Sequence, residues 1–443
     1  MMKKLRSALA LILALTLLVM PAGAEGGEEE DFDPDEWAAV ETLSSLDDVS
    51  ASVGAAVLME RETRTCLYES EARKHLPIAS VTKVMTLLLV TEAVDRGDLR
   101  LDQKVTCSAY AASMGGSQIF LEEGETMTAE ELIKAVAVSS ANDGAVALAE
   151  AAEGSEGAFV ERMNQRAREL GMEDTVYANC TGLPCQEEHY SCAWDIAVLS
   201  CQLLSCEWIR KYTTIWTDTV RNGNFGLSNT NKLIRFYPGA TGLKTGFTQE
   251  AMYCLSASAM RDGTEYVAVI LHAPSSDIRF ESAKLLLNHA FANYRLIELL
   301  PDAALPPVAV RMGASRWVQP AVSGQTKLLL EKRQIAGLRK ELVLAEEAEA
   351  PVEAGQSLGY LRLLDAEGRE LARAELTAEA LSCFGQEATA SDVEGVPPGS
   401  SPRRSPLPQV QRGETNPNIT GCPARRLENS PNRRESHIPQ WPR

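Results

Sequence analysis

From Pro77 the chain reads Pro77-Ile78-Ala79-Ser80-Val81-Thr82-Lys83-Val84-Met85-Thr86 and stays apolar to Val90. No other stretch constrains the fold as much. The run from Val84 to Val90 reads as a buried helix, and Pro77 stands just upstream, where a helix would begin. Ser80 and Lys83 are three residues apart, so helical geometry sets them side by side on the first turn. A serine hydroxyl is a weak nucleophile until a base takes its proton. A lysine can be that base only if burial or another cation lowers its pKa. An apolar helix start supplies the burial, and the helix N-terminus favours developing negative charge. By itself a Ser-x-x-Lys pair arises by chance about once or twice in a chain of this length. The pair alone therefore does not separate a catalytic couple from a capping serine beside a solvated lysine.

The chain begins with a pattern that predicts export. Lys3, Lys4 and Arg6 are followed by 13 residues, Ala8 to Met20, broken only by Thr16, and then by Ala22-Gly23-Ala24. A charged start, a short apolar stretch and a small-x-small end make residues 1–24 a signal peptide. The stretch is too short for an ordinary membrane span. Residues 25–50 hold eleven Asp and Glu and no Lys or Arg, which reads as a solvated acidic linker. With a net charge of −18 and a pI near 4.9, a nucleic-acid partner is excluded, because phosphate binding needs a basic surface. The expected location is outside the cell or in its envelope.

Length suggests two domains or more. Export permits disulfides, and Cys180, Cys185, Cys192, Cys201 and Cys206 lie close together. Their spacing matches no zinc pattern, and only His189 lies among them. Structural thiols, or one or two local disulfides of unknown pairing, are the expectation. No metal is expected.

From residue 52 the pattern is strand (Val53–Met59), charged turn, strand (Arg64–Tyr68). The Ser80 helix follows and stops near Gly97. Helical periodicity runs from Ala129 to Glu150, and another helix runs from Ala158 to Leu170, with Gly171 as its stop. Strand-like stretches return at Gly242–Phe247, Tyr253–Ala259 and Tyr266–Leu271, before a last helix from Ile278 to Tyr294. Strands at both ends with helices between predict an α+β fold, one antiparallel sheet covered by helices.

Two further clusters interrupt this pattern. Ser140 and Asn142, in Val138-Ser139-Ser140-Ala141-Asn142-Asp143, break an apolar helix with small polar residues, which predicts a helix junction facing a cleft. In Gly242-Leu243-Lys244-Thr245-Gly246-Phe247-Thr248, strand alternation sets Lys244 and Gly246 on one face and Thr245 on the other. Gly246 lets a ligand backbone approach the strand. Lys244 can bind a carboxylate, and its charge can depress the pKa of a nearby Lys83.

Taken in order, Ser-x-x-Lys, Ser-x-Asn and Lys-Thr-Gly resemble the penicillin-recognising serine enzymes. The surroundings resemble the serine-type D-alanyl-D-alanine carboxypeptidases, the low-molecular-mass penicillin-binding proteins, over roughly residues 50–300. Phe120-Leu121-Glu122-Glu123-Gly124-Glu125, Thr181-Gly182-Leu183-Pro184, Asn229-Thr230-Asn231 and Tyr237-Pro238-Gly239 add to the likeness. The resemblance implies that Ser80 is acylated with Lys83 as its base, and that Ser140 relays a proton to the leaving amine, helped by Asn142. Lys244 and Thr245 would hold the substrate's terminal carboxylate. The backbone N–H groups of Ser80 and Phe247 would form the oxyanion hole. The implied substrate is a peptidoglycan stem peptide ending in D-Ala-D-Ala, β-lactams would acylate the same serine, and no cofactor is needed. Position 252 is Met where the family pattern has Gly.

Residues 305–385 alternate short strands with turns and predict a small all-β domain, as the family often carries there. Asp365-Ala366-Glu367-Gly368 is its clearest hairpin signal. Ten of the 21 prolines follow residue 385, so 386–443 reads as a disordered tail. The family commonly ends in an amphipathic helix lying on the membrane. No such face is visible, so membrane association gains no support from this end. A β-lactamase is the nearest alternative. The Glu-x-x-Leu-Asn segment that one lactamase class uses for deacylation is absent. A non-catalytic peptidoglycan- or penicillin-binding protein is the other alternative, and the three intact motifs speak against it.

Overall fold

The computed structural model describes residues 43–379. The chain divides into two units, Met1–Gly385 and Gln386–Arg443, and every described residue belongs to the first. The expected signal peptide, most of the acidic linker and the tail lie outside the described residues. Part of the stretch read as linker is helical. Residues Leu46–Ser52 form a helix (α1), capped by Ser45 and Asp48 acting reciprocally, with Val49 buried.

Five antiparallel strands make the central sheet. They are β1 (Ala55–Glu60), β2 (Cys66–Ser70), β3 (Ala240–Thr248), β4 (Met252–Arg261) and β5 (Thr264–Ala273), in the order β2-β1-β5-β4-β3. The expected strands are thus present, and the sheet's first strand in the chain pairs directly with its last. Alternation along each strand explains how one sheet serves two cores. Ala55, Val57 and Met59 of β1, with Val267, Val269 and Leu271 of β5, face the larger core. Ala56, Leu58, Ala268 and Ile270 face the smaller one, which is closed by Phe280, Leu286 and Leu287. Those three lie on the long helix Ser276–Asn293. Burial on both faces explains why these strands are apolar throughout rather than at alternate positions.

The larger core is built around α2 (Lys83–Arg96), buried at every residue from Lys83 to Thr91. A helix apolar on all sides has to be enclosed by other elements. Among those around it are α3 (Ala129–Ser139), α4 (Asn142–Glu153), α5 (Glu156–Glu169) and α6 (Ala193–Ser205). Removing a leucine such as Leu88 from water contributes roughly 2 kcal/mol, and at 1 % exposure it is fully engaged. Gly97, at φ +80°, ends α2 in the left-handed conformation, and its N–H closes on Ala93.

Ser80 is not on the α-helix. It sits on a single 3-10 turn, Ala79–Thr82, that runs into α2 at Lys83. The predicted helix 129–150 is two helices broken at Ser140, where the sequence placed a junction. From Tyr294 to the last described residue the chain is mainly β. Strand Tyr294–Glu298 pairs with Lys327–Glu331, and a four-stranded antiparallel sheet joins Pro320–Ser323, Glu370–Ala378, Ser357–Leu364 and Arg339–Leu344. The 365–368 hairpin forms, with Gly368 N–H donating to Asp365 O at 3.1 Å.

Candidate active site

The three motifs converge. Lys83 Nζ donates to Ser80 Oγ at 3.0 Å and to the Thr181 carbonyl at 2.7 Å. Lys83 is fully buried. That burial lowers its pKa to about 7, against smaller upward effects of Cys180 and Asp143. The Cys180 thiol is itself held well above its ordinary range, by burial first and then by Glu156, so it is uncharged at neutral pH. Asp143 acts on Lys83 only from a distance, since its oxygens accept from the Ile119, Leu121 and Gly144 N–H groups.

Lys83 is placed by the segment 178–183. The Asn179 side chain accepts from the N–H groups of Thr181 and Gly182 at 3.1 and 2.6 Å, folding a tight turn that presents the Thr181 carbonyl. Thr86 Oγ1 fastens the turn to α2 by donating to Cys180 O at 2.6 Å. Gly182 has φ +80°, and a Cβ there would lie 1.9 Å from Ala79 O. Only glycine lets this turn close over the Ser80 turn. His189 braces the same region. Its Nδ1 accepts from Ala178 N–H at 3.2 Å, and its Nε2 is 2.8 Å from Thr82 Oγ1. Burial, then the Lys83 charge, lowers its pKa to about 4, so the ring is neutral and Nε2 carries the proton.

Ser140 caps α3 in the left-handed conformation (φ 63°, ψ 27°), and its buried Oγ has no hydrogen-bond partner. A non-glycine residue held there marks a site over-determined by its surroundings. Asn142 is 2 % exposed, and its Nδ2 donates to Gly115 O at 2.7 Å.

Strand β3 brings the third motif against the Ala79–Thr82 turn. A Cβ on Gly246 would stand 2.7 Å from Ile78 O and 3.1 Å from Ser80 N. The close approach that Gly246 allows is therefore that of the Ser80 turn itself, whereas the sequence suggested a ligand backbone. Thr245 Oγ1 donates to Thr230 Oγ1 at 2.6 Å. Phe247 is exposed and packs on Tyr253, ring centroids 4.5 Å apart.

Lys244 departs from expectation. The sequence reads it as a cation on the strand edge, whereas it is 1 % exposed and donates to Thr245 O at 3.0 Å. Burial, then Lys83 and Arg279, push its pKa well below the ordinary lysine range. Two buried lysines near one another cannot both hold a charge cheaply. The depression of Lys83 comes from burial, and the repulsion between the pair is felt at Lys244.

The first and third motifs are in direct contact, and Asn142 is linked to the turn over Ser80 through Gly116, where a Cβ would stand 2.9 Å from Asn142 Nδ2 and 3.4 Å from Leu183 Cδ2. Sequence reasoning did not assign the Thr181 carbonyl, His189, Asp143 or Thr230. All four lie in stretches that had been noted, but a backbone acceptor or a brace leaves no residue-type signature. The eight described cysteines are free thiols.

The chain matches the family described as D-alanyl-D-alanine carboxypeptidase (Peptidase S11) over residues 41–275. It is 41 % identical over 330 residues to the D-alanyl-D-alanine carboxypeptidase DacF of Bacillus subtilis, covering 73 % of this chain and 84 % of that one. Penicillin binding protein 5 of Haemophilus influenzae is similar in structure, with a TM-score of 0.65 and 25 % identity, covering 75 % of this chain and 98 % of that one. The PBP3 of Streptococcus pneumoniae, described as a peptidoglycan synthesis regulatory factor, has a TM-score of 0.61 and 26 % identity, covering 75 % and 99 %. With its three motifs assembled on the same fold, this chain belongs to the D-alanyl-D-alanine carboxypeptidase family of serine peptidases, the low-molecular-mass penicillin-binding proteins.

Proposed function

We propose that the protein removes the terminal D-alanine from peptidoglycan stem peptides through an acyl-enzyme on Ser80, and that β-lactams acylate the same serine. The observation that carries this reading is the buried Lys83 amine 3.0 Å from Ser80 Oγ. A lysine that titrates near 7 is a general base at working pH.

In this reading the substrate carboxylate enters beside Lys244 and Thr245. It supplies the counter-charge that Lys244 lacks and draws a proton onto that amine. The restored Lys244 charge then favours the neutral form of Lys83. Neutral Lys83 takes the Ser80 proton, and Oγ attacks the penultimate D-Ala carbonyl. The N–H groups of Ser80 and Phe247 stabilise the oxyanion. The leaving amine receives a proton by way of Ser140, whose Oγ has no partner in the free site. Asn142 positions the chain being cleaved. Water then releases the acyl group from Ser80.

Export is part of the proposal, resting on the charged, apolar and small-residue pattern of residues 1–24. So is a division into a catalytic part (51–300), a β part (305–385) and a Pro-rich tail (386–443). Among the described residues, no helix is long and apolar enough to cross a membrane. Release of D-alanine from a diacetyl-Lys-D-Ala-D-Ala peptide, with fluorescent-penicillin labelling of wild type and Ser80→Ala, tests the reading. Wild type should turn over and label, and Ser80→Ala should do neither. Normal labelling of Ser80→Ala, or labelling of wild type without D-alanine release, overturns it.

A further inference from the structure

Asn142 is held in place from outside its own motif. Asp143, the next residue, is fully buried, and its carboxylate is spent on backbone. It accepts from Ile119 N–H at 3.1 Å on each oxygen, from Leu121 N–H at 3.0 Å and from Gly144 N–H at 2.8 Å. Arg221 grips the same stretch from the other side. Its Nη1 donates to Ile119 O at 2.6 Å and its Nη2 to Phe120 O at 3.0 Å, while Nε pairs with Glu125 at 2.6 Å. Between the two grips Phe120 is held at φ +55° with its ring 65 % exposed. A bulky residue keeps that backbone only when its neighbours enforce it.

The residues just before this clamp reach Asn142. Ser117 O accepts from Asn142 N–H at 2.7 Å, and Gly115 O accepts from Asn142 Nδ2 at 2.7 Å. A carbonyl can only accept, so the nitrogen end of the Asn142 amide must face Gly115. The other end, Oδ1, is buried with no partner and is the end left for a ligand. Which end of the amide is offered therefore depends on where the 115–117 carbonyls lie.

We propose that Asp143 is a positioning residue for the reaction: by clamping residues 119–121 it fixes the Gly115 and Ser117 carbonyls, and through them the orientation of the Asn142 amide. The proposal rests on Asn142 belonging to the active site. Asp143 would satisfy buried N–H groups in any case, and its loss lowers stability in either role. Only the positioning role couples Asp143 to Asn142 in catalysis.

A double-mutant cycle on the full chain separates the two. Acylation by a fluorescent penicillin is timed for wild type, Asn142→Ala, Asp143→Ala and the double variant, each shown folded by its thermal transition. Misplacing a reacting group by about 1 Å costs on the order of 100-fold. Asp143→Ala should therefore slow acylation by roughly 10- to 100-fold in the wild-type background. In the Asn142→Ala background the further slowing should be less than about threefold, because residues that act as a unit are not additive. Equal slowing in both backgrounds overturns the proposal, as does Asp143→Ala acylating within about twofold of wild type. If Asp143→Ala does not fold, Asp143→Asn takes its place under the same criteria, since it keeps the size and one acceptor oxygen. Asn142→Ala acylating at the wild-type rate overturns the role of Asn142 and this proposal with it, while Ser80 labelling stands.

Discussion

Lys83 Nζ lies 3.0 Å from Ser80 Oγ, and its second partner is a neutral carbonyl, Thr181 O at 2.7 Å. Among the described residues no carboxylate is hydrogen-bonded to the amine, so nothing in direct reach offsets the loss of solvent around a buried ammonium. That is the physical reason its pKa falls from 10.5 to about 7. The form that can accept the Ser80 proton is the neutral amine, which dominates above the folded-state pKa. Acylation by a β-lactam should therefore rise with pH, with an apparent midpoint near 7. On the acid side the rate should fall about tenfold per pH unit. Stopped-flow acylation across roughly pH 5 to 9 measures this. A flat profile would remove Lys83 as the base.

The two motif lysines should respond differently to the same substitution. A guanidinium cannot give up its proton at any working pH. Lys83→Arg should abolish acylation, with a loss of at least about 1,000-fold. Lys244→Arg keeps a cation for the substrate carboxylate, in a shape that fits a buried slot less well. It should retain measurable acylation, about 10- to 100-fold below wild type. Labelling rates of both variants decide the matter, and equal rates would reverse the assignment.

Met252 opens β4 with φ +54°, at the position where the family pattern has glycine. A left-handed backbone costs an L-residue about 1–2 kcal/mol, and glycine returns about 0.5–1 kcal/mol of that as greater freedom in the unfolded chain. Met252→Gly should therefore raise stability by about 0.5–1 kcal/mol. For a chain of this size that is a rise in melting temperature of about 1–3 °C, read by differential scanning calorimetry. An unchanged or lower midpoint would mean that contacts of the Met252 side chain outweigh the backbone strain.

Much of the fold was legible because its signals are local. The short apolar run Ala55–Met59, the longer one behind Lys83 and the small polar break at Ser140 each announce an element within a few residues. The three motifs were readable in the same way. What escaped depends on distant approach. Thr181 supplies a backbone oxygen to a side chain 98 positions away, and no residue type encodes that. Lys244 reads as a strand-edge cation until β3 is placed against the Ser80 turn, where its surroundings leave it 1 % exposed. Ser80 reads as the first turn of an α-helix because a 3-10 turn and an α-helical first turn share the same residue preferences.

Thr230 is the last residue the pairing of motifs exposes. Thr245 Oγ1 donates to Thr230 Oγ1 at 2.6 Å in the free site. A hydroxyl has one proton, so while that bond stands Thr245 cannot also donate to a carboxylate. Substrate binding must turn the Thr245 proton toward the ligand, and Thr230 can then donate back to Thr245 through its own hydroxyl. Thr230→Val keeps the shape of the side chain and removes both roles. Thr230 is exposed, so water can replace part of what is lost, and the effect should be modest. KM for the D-Ala-D-Ala peptide should rise about three- to tenfold, the loss of one neutral hydrogen bond, with kcat within about twofold of wild type. Thr230→Ser, which restores the hydroxyl without the methyl group, should bring KM back. Steady-state D-alanine release gives both constants, and a fall in kcat with unchanged KM would place Thr230 in the chemical step instead.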